Sequence, residues 1–335
     1  MDVNFTAKTK RDLYRQQLEE ELSELIDLNT GIVSETYAEY VSCPLCEEPR
    51  AHKPLFVVRG FPHVRCEKCG LVFTNPQVNE KKLHELYGQS KANDLWLDVL
   101  MSEAESKDRY LLYDRYFDRL ETQTGYRSLV DLGCSIGDLL VVAKRRGWSA
   151  QGVDLSQKAI RFAPEVRKLD VRLGTLEDIG FEKESLPVMT LTGVLEHLNK
   201  PLDVLGRIRE YLVPDGRILI QVPNFHSMHN MVLHEKSTSF DGRNHLIFFT
   251  PKTLERALHL TGYRTLHLAT YQGVTHVLCR HLQYYDPYIG EADFDYLPEK
   301  IRPWFEDHGK HRELIRWLEQ MGLGRCIMAI AAKQQ

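Results

Sequence analysis

Asp131-Leu132-Gly133-Cys134-Ser135-Ile136-Gly137 follows the apolar run Leu129-Val130 and opens onto Asp138-Leu139-Leu140-Val141-Val142, which stops at Gly147. The run predicts a short buried strand, the glycines predict a tight loop, and the glycine-stopped segment predicts a helix. The same alternation continues outward. Strands are expected at 150–154, 171–173, 188–191 and 217–222, with helices from residue 157 and across 201–212. Pro214-Asp215-Gly216 reads as a turn. A helix at 251–261, a strand at 264–269 and a strongly apolar closing strand at 326–332 complete the set. Strands alternating with helices imply an α/β fold with a doubly wound, mostly parallel sheet covered on both faces, here closed by an antiparallel strand.

Three chemistries compete for the loop. A nicotinamide fingerprint needs glycine where Ser135 and Asp138 stand, and Asp138 would put charge where a pyrophosphate must approach. A nucleophile elbow is matched literally by Gly133-Cys134-Ser135-Ile136-Gly137, but a hydrolase needs several strands before it. The third is a loop for a cationic sulfur donor. Its glycines admit the ligand to the backbone, Asp131 faces the amino and sulfonium charge, and Asp154 at the next strand end accepts from both ribose hydroxyls, with Leu155 beside the adenine. Ser156 fills the helix N-cap role, which leaves Asp154 for the ligand.

With Gly152-Val153-Asp154-Leu155-Ser156, Gly174-Thr175-Leu176-Glu177-Asp178, Val194-Leu195-Glu196-His197-Leu198 and Asn244-His245-Leu246-Ile247-Phe248 in this order, the chain resembles the class I S-adenosylmethionine-dependent methyltransferases, from about residue 129 to 332. It is most similar to the ubiquinone-type branch, including bacterial members with an N-terminal zinc ribbon followed by Gly70-Leu71-Val72-Phe73-Thr74-Asn75-Pro76. The resemblance implies a Rossmann-like sheet and S-adenosyl-L-methionine as cofactor. It places Gly133, Ser135 and Gly137 at the methionine part, Asp154 at the ribose, Leu176 at the adenine and Thr192 near the methionine. Ser135 departs from the usual middle glycine, and Leu186-Pro187 from the usual residues before the fourth strand. Methyl transfer to a hydroxyl needs a proton acceptor. One of His197, after the fourth strand, and His245, on a later loop, is the expected base, and the sequence does not choose between them. Residues 225–243 read as a mobile lid over the acceptor.

Upstream, Cys43, Cys46, Cys66 and Cys69 form paired C-x2-C knuckles. That spacing names a tetrahedral four-sulfur zinc site, structural rather than catalytic because it is closed. The domain plan is an amphipathic helix within 1–30, a zinc ribbon at 36–78, a helical connector at 79–124 and the methyltransferase domain at 125–335, with an insertion at 280–322. The N-terminal helix is expected to dock on its own chain or on a second copy, giving a homodimer. Tyr110, Tyr113, Tyr116 and Phe117 form a stripe expected in the core, with Tyr87 and Tyr110 as possible covers of a ligand. Lys144-Arg145-Arg146 reads as a solvated helix face.

A formal charge of −4 gives no general attraction to polyanions. No apolar stretch is long enough to span a membrane. The start of the chain lacks an export signal, and Cys134, Cys279 and Cys326 remain as unpaired thiols, so a cytoplasmic location is expected. The expected function is methylation of a small molecule, on oxygen of a glycan, lipid-linked or secondary-metabolite acceptor. The alternatives are an RNA or protein methyltransferase docked through the ribbon, with Arg59 and Arg65 as the basic groups, and a non-catalytic scaffold.

Overall fold

The computed structural model describes residues 11–49, 52–101, 103–272 and 307–334. Helix α1 (Arg11–Ser23) comes first. Short strands β1 (Ala38–Glu39), β2 (His52–Val58), β3 (Phe61–Cys66), β4 (Val72–Thr74) and β5 (Gln77–Val78) follow. Three helices come next: α2 (Glu80–Gln89), α3 (Lys91–Leu100) and α4 (Glu103–Gln123). The alternating region then supplies β6 (Ser128–Leu132), α5 (Asp138–Arg145), β7 (Ser149–Asp154), α6 (Gln157–Arg167) and β8 (Asp170–Leu173). It continues with α7 (Leu176–Ile179), β9 (Leu186–Thr192), α8 (Pro201–Tyr211), β10 (Leu212–Pro223) and α9 (Met228–Leu233). The last elements are β11 (Ile247–Phe248), α10 (Pro251–Leu260), β12 (Tyr263–Tyr271), α11 (His308–Gln320) and β13 (Cys326–Lys333).

The main sheet has seven strands in the order β12-β13-β10-β9-β6-β7-β8. Neighbours from β10 to β8 are parallel, and β13 runs antiparallel to both β10 and β12. This is the doubly wound Rossmann-like arrangement with its antiparallel closing strand. Alternate side chains along each strand feed opposite faces. Val130, Met189, Ile218 and Ile220 enter one apolar cluster, whereas Leu129, Val188, Leu219 and Met328 enter the other. Each fully buried side chain of this kind contributes about 1.5–3 kcal/mol. The expected turn at 214–216 is a kink inside β10: its register with β9 shifts between Leu212 and Arg217, and Asp215 has φ +60°.

The cysteine-bearing strands do not stand apart from this sheet. β2, β3 and β4 form an antiparallel meander, and β11 completes it as the fourth strand beside β4. Thr74 N–H donates to the Leu246 carbonyl at 2.9 Å, and Leu246 N–H donates to the Glu196 carbonyl at 2.9 Å. The core cluster holding Cys43, Leu45, Phe61 and Cys66 also holds Leu246, Ile247 and Phe249. Cys43 and Cys69 Sγ are 3.5 Å apart, and Cys46 and Cys66 Sγ 3.6 Å.

Helix α1 buries Leu18 and Leu22 within its own chain, against α3. Its Glu21 carboxylate accepts from Ser90 Oγ (2.6 Å), Ala92 N–H (2.9 Å) and Arg243 Nη1 (2.6 Å). Arg243 is fully buried and also donates to Asn93 Oδ1 at 3.1 Å. The segment 225–243 therefore departs from a freely moving lid. Asn230 Nδ2 ties it to the Asn224 carbonyl (3.0 Å), Ser237 Oγ donates to Asn230 Oδ1 (2.7 Å), and Phe240 and Asp241 are buried.

The basic run closing α5 keeps Lys144 and Arg145 exposed, as a solvated face expects, with Arg146 partly so. Arg146 pairs with Asp114, Asp118 and Glu121, and Arg145 lies over the Tyr110 ring. Tyr116 and Phe117 are core, as the stripe suggested. Of the expected insertion, residues 280–306, including the tyrosine-rich stretch, lie outside the described residues, as does Cys279. The described helix α11 packs on β12, with Thr270 Oγ1 donating to the Glu319 carbonyl at 2.8 Å. No described helix is long and apolar enough to cross a membrane.

Replacing Arg243 with methionine strands Glu21 as an uncompensated, mostly buried charge. Urea unfolding of Arg243→Met is expected to show a loss of about 3–5 kcal/mol. The double variant with Glu21→Gln should recover part of it.

Candidate functional site

The sheet order reverses between β6 and β9, and beyond the C-terminal ends of these strands lies a cleft of about 1270 Å³. This is the place where doubly wound folds hold nucleotide ligands. The loop after β6 makes one wall. Gly133, Ser135 and Gly137 take left-handed conformations, with φ of +72°, +49° and +81°. Gly133 and Cys134 N–H both donate to the Val153 carbonyl, at 2.8 and 3.1 Å, which pins the loop to the end of β7. Asp154 completes the junction: Oδ2 accepts from Ser135 N–H at 2.7 Å and Oδ1 from Ser156 N–H at 2.8 Å. Burial pushes the Asp154 carboxyl up, and the amide donors oppose that shift.

Asp131, Gly133, Ser135, Asp154, Leu155, Leu176 and Thr192 all line the cleft. Gly137 does not. A Cβ there would come within 2.4 Å of Leu169 Cδ1, so this glycine makes room for packing at the start of α5. Asp131 is buried, accepts a hydrogen bond from Thr190 Oγ1 at 2.5 Å, and is pushed up to about 7 by burial. Leu155 is half exposed at the cleft, whereas Leu176 is buried at the capped start of α7. Asp138, which stands where a nicotinamide fingerprint needs glycine, is buried in ion pairs with Arg109 and Arg167.

His197 and His245 meet at the far side of the same cleft, their rings edge to face with centroids 4.9 Å apart. The 3₁₀ turn Leu195–His197 after β9 supplies His197 and Glu196, and the segment leading into β11 supplies His245. Glu196 Oε1 lies 3.7 Å from His197 Nε2. Burial pushes Glu196 up to about 7 and His197 down to about 3. Asp241 accepts from the N–H groups of Asn244 and His245, at 2.9 and 3.0 Å. Burial opposes its ionisation, but the neighbouring His245 and these amides hold it below its ordinary value.

Several cleft residues escaped sequence reasoning. Tyr113 lines it and hydrogen-bonds Thr192. A helical stripe does not tell which of its tyrosines turns towards the cleft. Asp241 carried a weak signal, lying four residues before His245. Tyr14 and Trp96 reach the cleft from α1 and α3, elements that local motifs do not connect to it.

Fold and cleft together define a doubly wound protein built to hold a nucleotide-bearing ligand. Residues 102–268 match the family model described as a methyltransferase domain, so the chain carries a methyltransferase domain. A ubiquinone biosynthesis O-methyltransferase of Schizosaccharomyces pombe is 37% identical over 101 residues, 28% of this chain and 37% of that protein. A tRNA U34 carboxymethyltransferase of Vibrio campbellii is 28% identical over 151 residues, 42% of this chain and 46% of that protein. The chain thus spans between about a third and a half of the length of the curated relatives it matches. Among solved structures, a SAM-dependent methyltransferase from Archaeoglobus fulgidus superposes with a TM-score of 0.47 at 19% identity, over 67% of this chain and 94% of that one.

Two outcomes follow from the loop. Ser135→Gly relieves a left-handed side-chain clash of about 1–2 kcal/mol, less the entropy that glycine adds to the unfolded chain. A net gain of about 1 kcal/mol is expected in guanidinium unfolding. Asp131 stays protonated in the fold up to about pH 7, while the unfolded chain ionises from its ordinary value of 3.8. The unfolded state binds fewer protons in that window, so Asp131 lowers stability as pH rises through it. The stability advantage of ligand-free Asp131→Asn over wild type should therefore grow from about pH 4 to 7 and level off above it.

Proposed function

We propose that this chain transfers a methyl group from S-adenosyl-L-methionine to an oxygen of a small acceptor such as a glycan, lipid-linked or secondary-metabolite hydroxyl. The observation that carries the reading is the continuity of one cleft from the Asp154 junction to the His197–His245 pair. Its volume of about 1270 Å³ exceeds the roughly 300–1,000 Å³ of a single-ligand pocket, which suits donor and acceptor side by side. The residues present fit the cofactor. Asp154 is held at a strand end with lone pairs to spare for ribose hydroxyls. Gly133 and the Ser135 turn bring backbone to the ligand. Leu155 and Leu176 offer apolar contact to the adenine, and Asp131 and Thr192 face the methionine end. The cofactor supplies a methyl carbon already activated by its sulfonium. The protein's share is then to align the acceptor and take its proton, a task that falls to His197 and His245.

Oxygen as the acceptor atom draws support from the matched relatives named as O-methyltransferases. Docking of RNA draws none from the basic groups first considered, since Arg59 pairs with Glu19 at 2.7 Å and Arg65 lies over the Phe225 ring.

We further infer a structural zinc held by Cys43, Cys46, Cys66 and Cys69. Their Sγ atoms lie within 4.8 Å of one another, and the two closest pairs are near the edge of about 3.8 Å that zinc–sulfur bonds of about 2.3 Å require.

Calorimetry with S-adenosylmethionine should show saturable binding weakened about 100-fold or more in Asp154→Ala; no heat with the wild-type chain overturns the reading. Removing metal with a chelator, or replacing Cys66 with serine, should lower the thermal midpoint in step with loss of one zinc per chain in elemental analysis.

A further inference from the structure

Glu196 is not explained by methyl transfer alone. It is 2% exposed, and its Oε2 has no hydrogen-bond partner. An unsatisfied buried acceptor costs about 1–3 kcal/mol, and more when charged. Its other oxygen faces His197 Nε2 at 3.7 Å, too far for a hydrogen bond. The two imidazoles are held from behind. His245 Nδ1 contacts the Ser239 carbonyl at 2.9 Å. A carbonyl only accepts, so Nδ1 carries the proton and Nε2 is left with its lone pair. His197 is engaged by the backbone of Asn244. Holding Nδ1 on a backbone carbonyl and turning Nε2 towards the site, as His245 does, is how metal-binding histidines are oriented. One ligand atom from each of Glu196, His197 and His245 lies within 4.8 Å of the others. Around an ion with bonds of about 2.1 Å, ligand atoms sit about 3–3.5 Å apart, so closure needs a contraction of at most about 1.3–1.8 Å from the 4.8 Å limit.

We propose that Glu196, His197 and His245 form a second metal site, which binds a divalent first-row transition ion at the acceptor end of the cleft. Two imidazoles and a carboxylate select such an ion over magnesium or calcium, which prefer all-oxygen shells. Three protein ligands leave coordination positions open. The ion satisfies Glu196 Oε2, and Asp241 steadies the backbone that carries His245. The site's existence is independent of the methyl-transfer reading, but its purpose rests on it. An acceptor hydroxyl at an open position holds its proton less tightly and releases it to water in the cleft. The histidines then act through the ion.

The test is titration of the full chain, prepared with one zinc per chain and no excess, with Mn²⁺, followed by electron paramagnetic resonance of the free ion, without S-adenosylmethionine. Mn²⁺ discriminates because thiolate sites hold it poorly. One Mn²⁺ bound per chain is expected, weakened at least 10-fold in Glu196→Gln and in His245→Ala. Unchanged circular dichroism and S-adenosylhomocysteine binding in His245→Ala establish that the fold survives. A wild-type chain that binds S-adenosylmethionine but no Mn²⁺ overturns the metal site and leaves the methyltransferase reading intact. So does Mn²⁺ binding that both variants retain. Mn²⁺ bound by a chain that ignores S-adenosylmethionine upholds the site and sinks the other reading.

Discussion

Two backbone hydrogen bonds chain the cysteine-bearing sheet to the two histidine segments. Thr74 N–H reaches the Leu246 carbonyl, and Leu246 N–H reaches the Glu196 carbonyl. Through them the cysteine-bearing sheet, the segment carrying His245 and the turn carrying Glu196 and His197 become one continuous framework. Neither histidine sits on the rigid main sheet itself. Their mutual distance is set where the turn after β9 meets β11, and β11 is held in turn by β4. Geometry at the histidine end of the cleft therefore depends on β4, whose Thr74 lies 172 residues before its partner Leu246. A site that must hold its groups within about 0.5 Å gains from such bracing.

The donor end is organised differently, around one carboxylate. Asp154 receives amides from two turns at once, its own and that of Ser135. It therefore holds the loop shape as well as facing the cleft. The left-handed Ser135 is a local strain that this bond offsets. Asp131, one strand over, is kept dry beneath the loop, where the Thr190 hydroxyl donates to it. A carboxyl in that setting becomes a favourable anion only when a positive group enters beside it.

Much of this was legible in the sequence. The alternation of apolar runs and glycine-stopped helices marked the main sheet, because each strand is short, β-rich and bounded by turn residues. The paired cysteines marked their cluster by spacing alone. What escaped reading was pairing over distance. β11 is two residues long and has no periodicity to detect; its partner, not its own composition, makes it a strand. Residues 225–243 looked polar and loose, yet Arg243 finds Glu21 across the whole chain. Gly137 shows the same limit on a smaller scale. A missing side chain is visible in the letters, but whether it yields to a ligand or to Leu169 is a matter of packing.

The seam between β4 and β11 also bears on how the molecule is made. Synthesis runs from the N-terminus, so the ribbon strands emerge long before Ile247 and Phe248 exist. Until then β4 presents a bare row of amides and carbonyls beside apolar Val72 and Phe73, a template for unwanted strand addition. Native closure waits on a contact of high sequence separation, the kind whose loop-closure entropy slows folding.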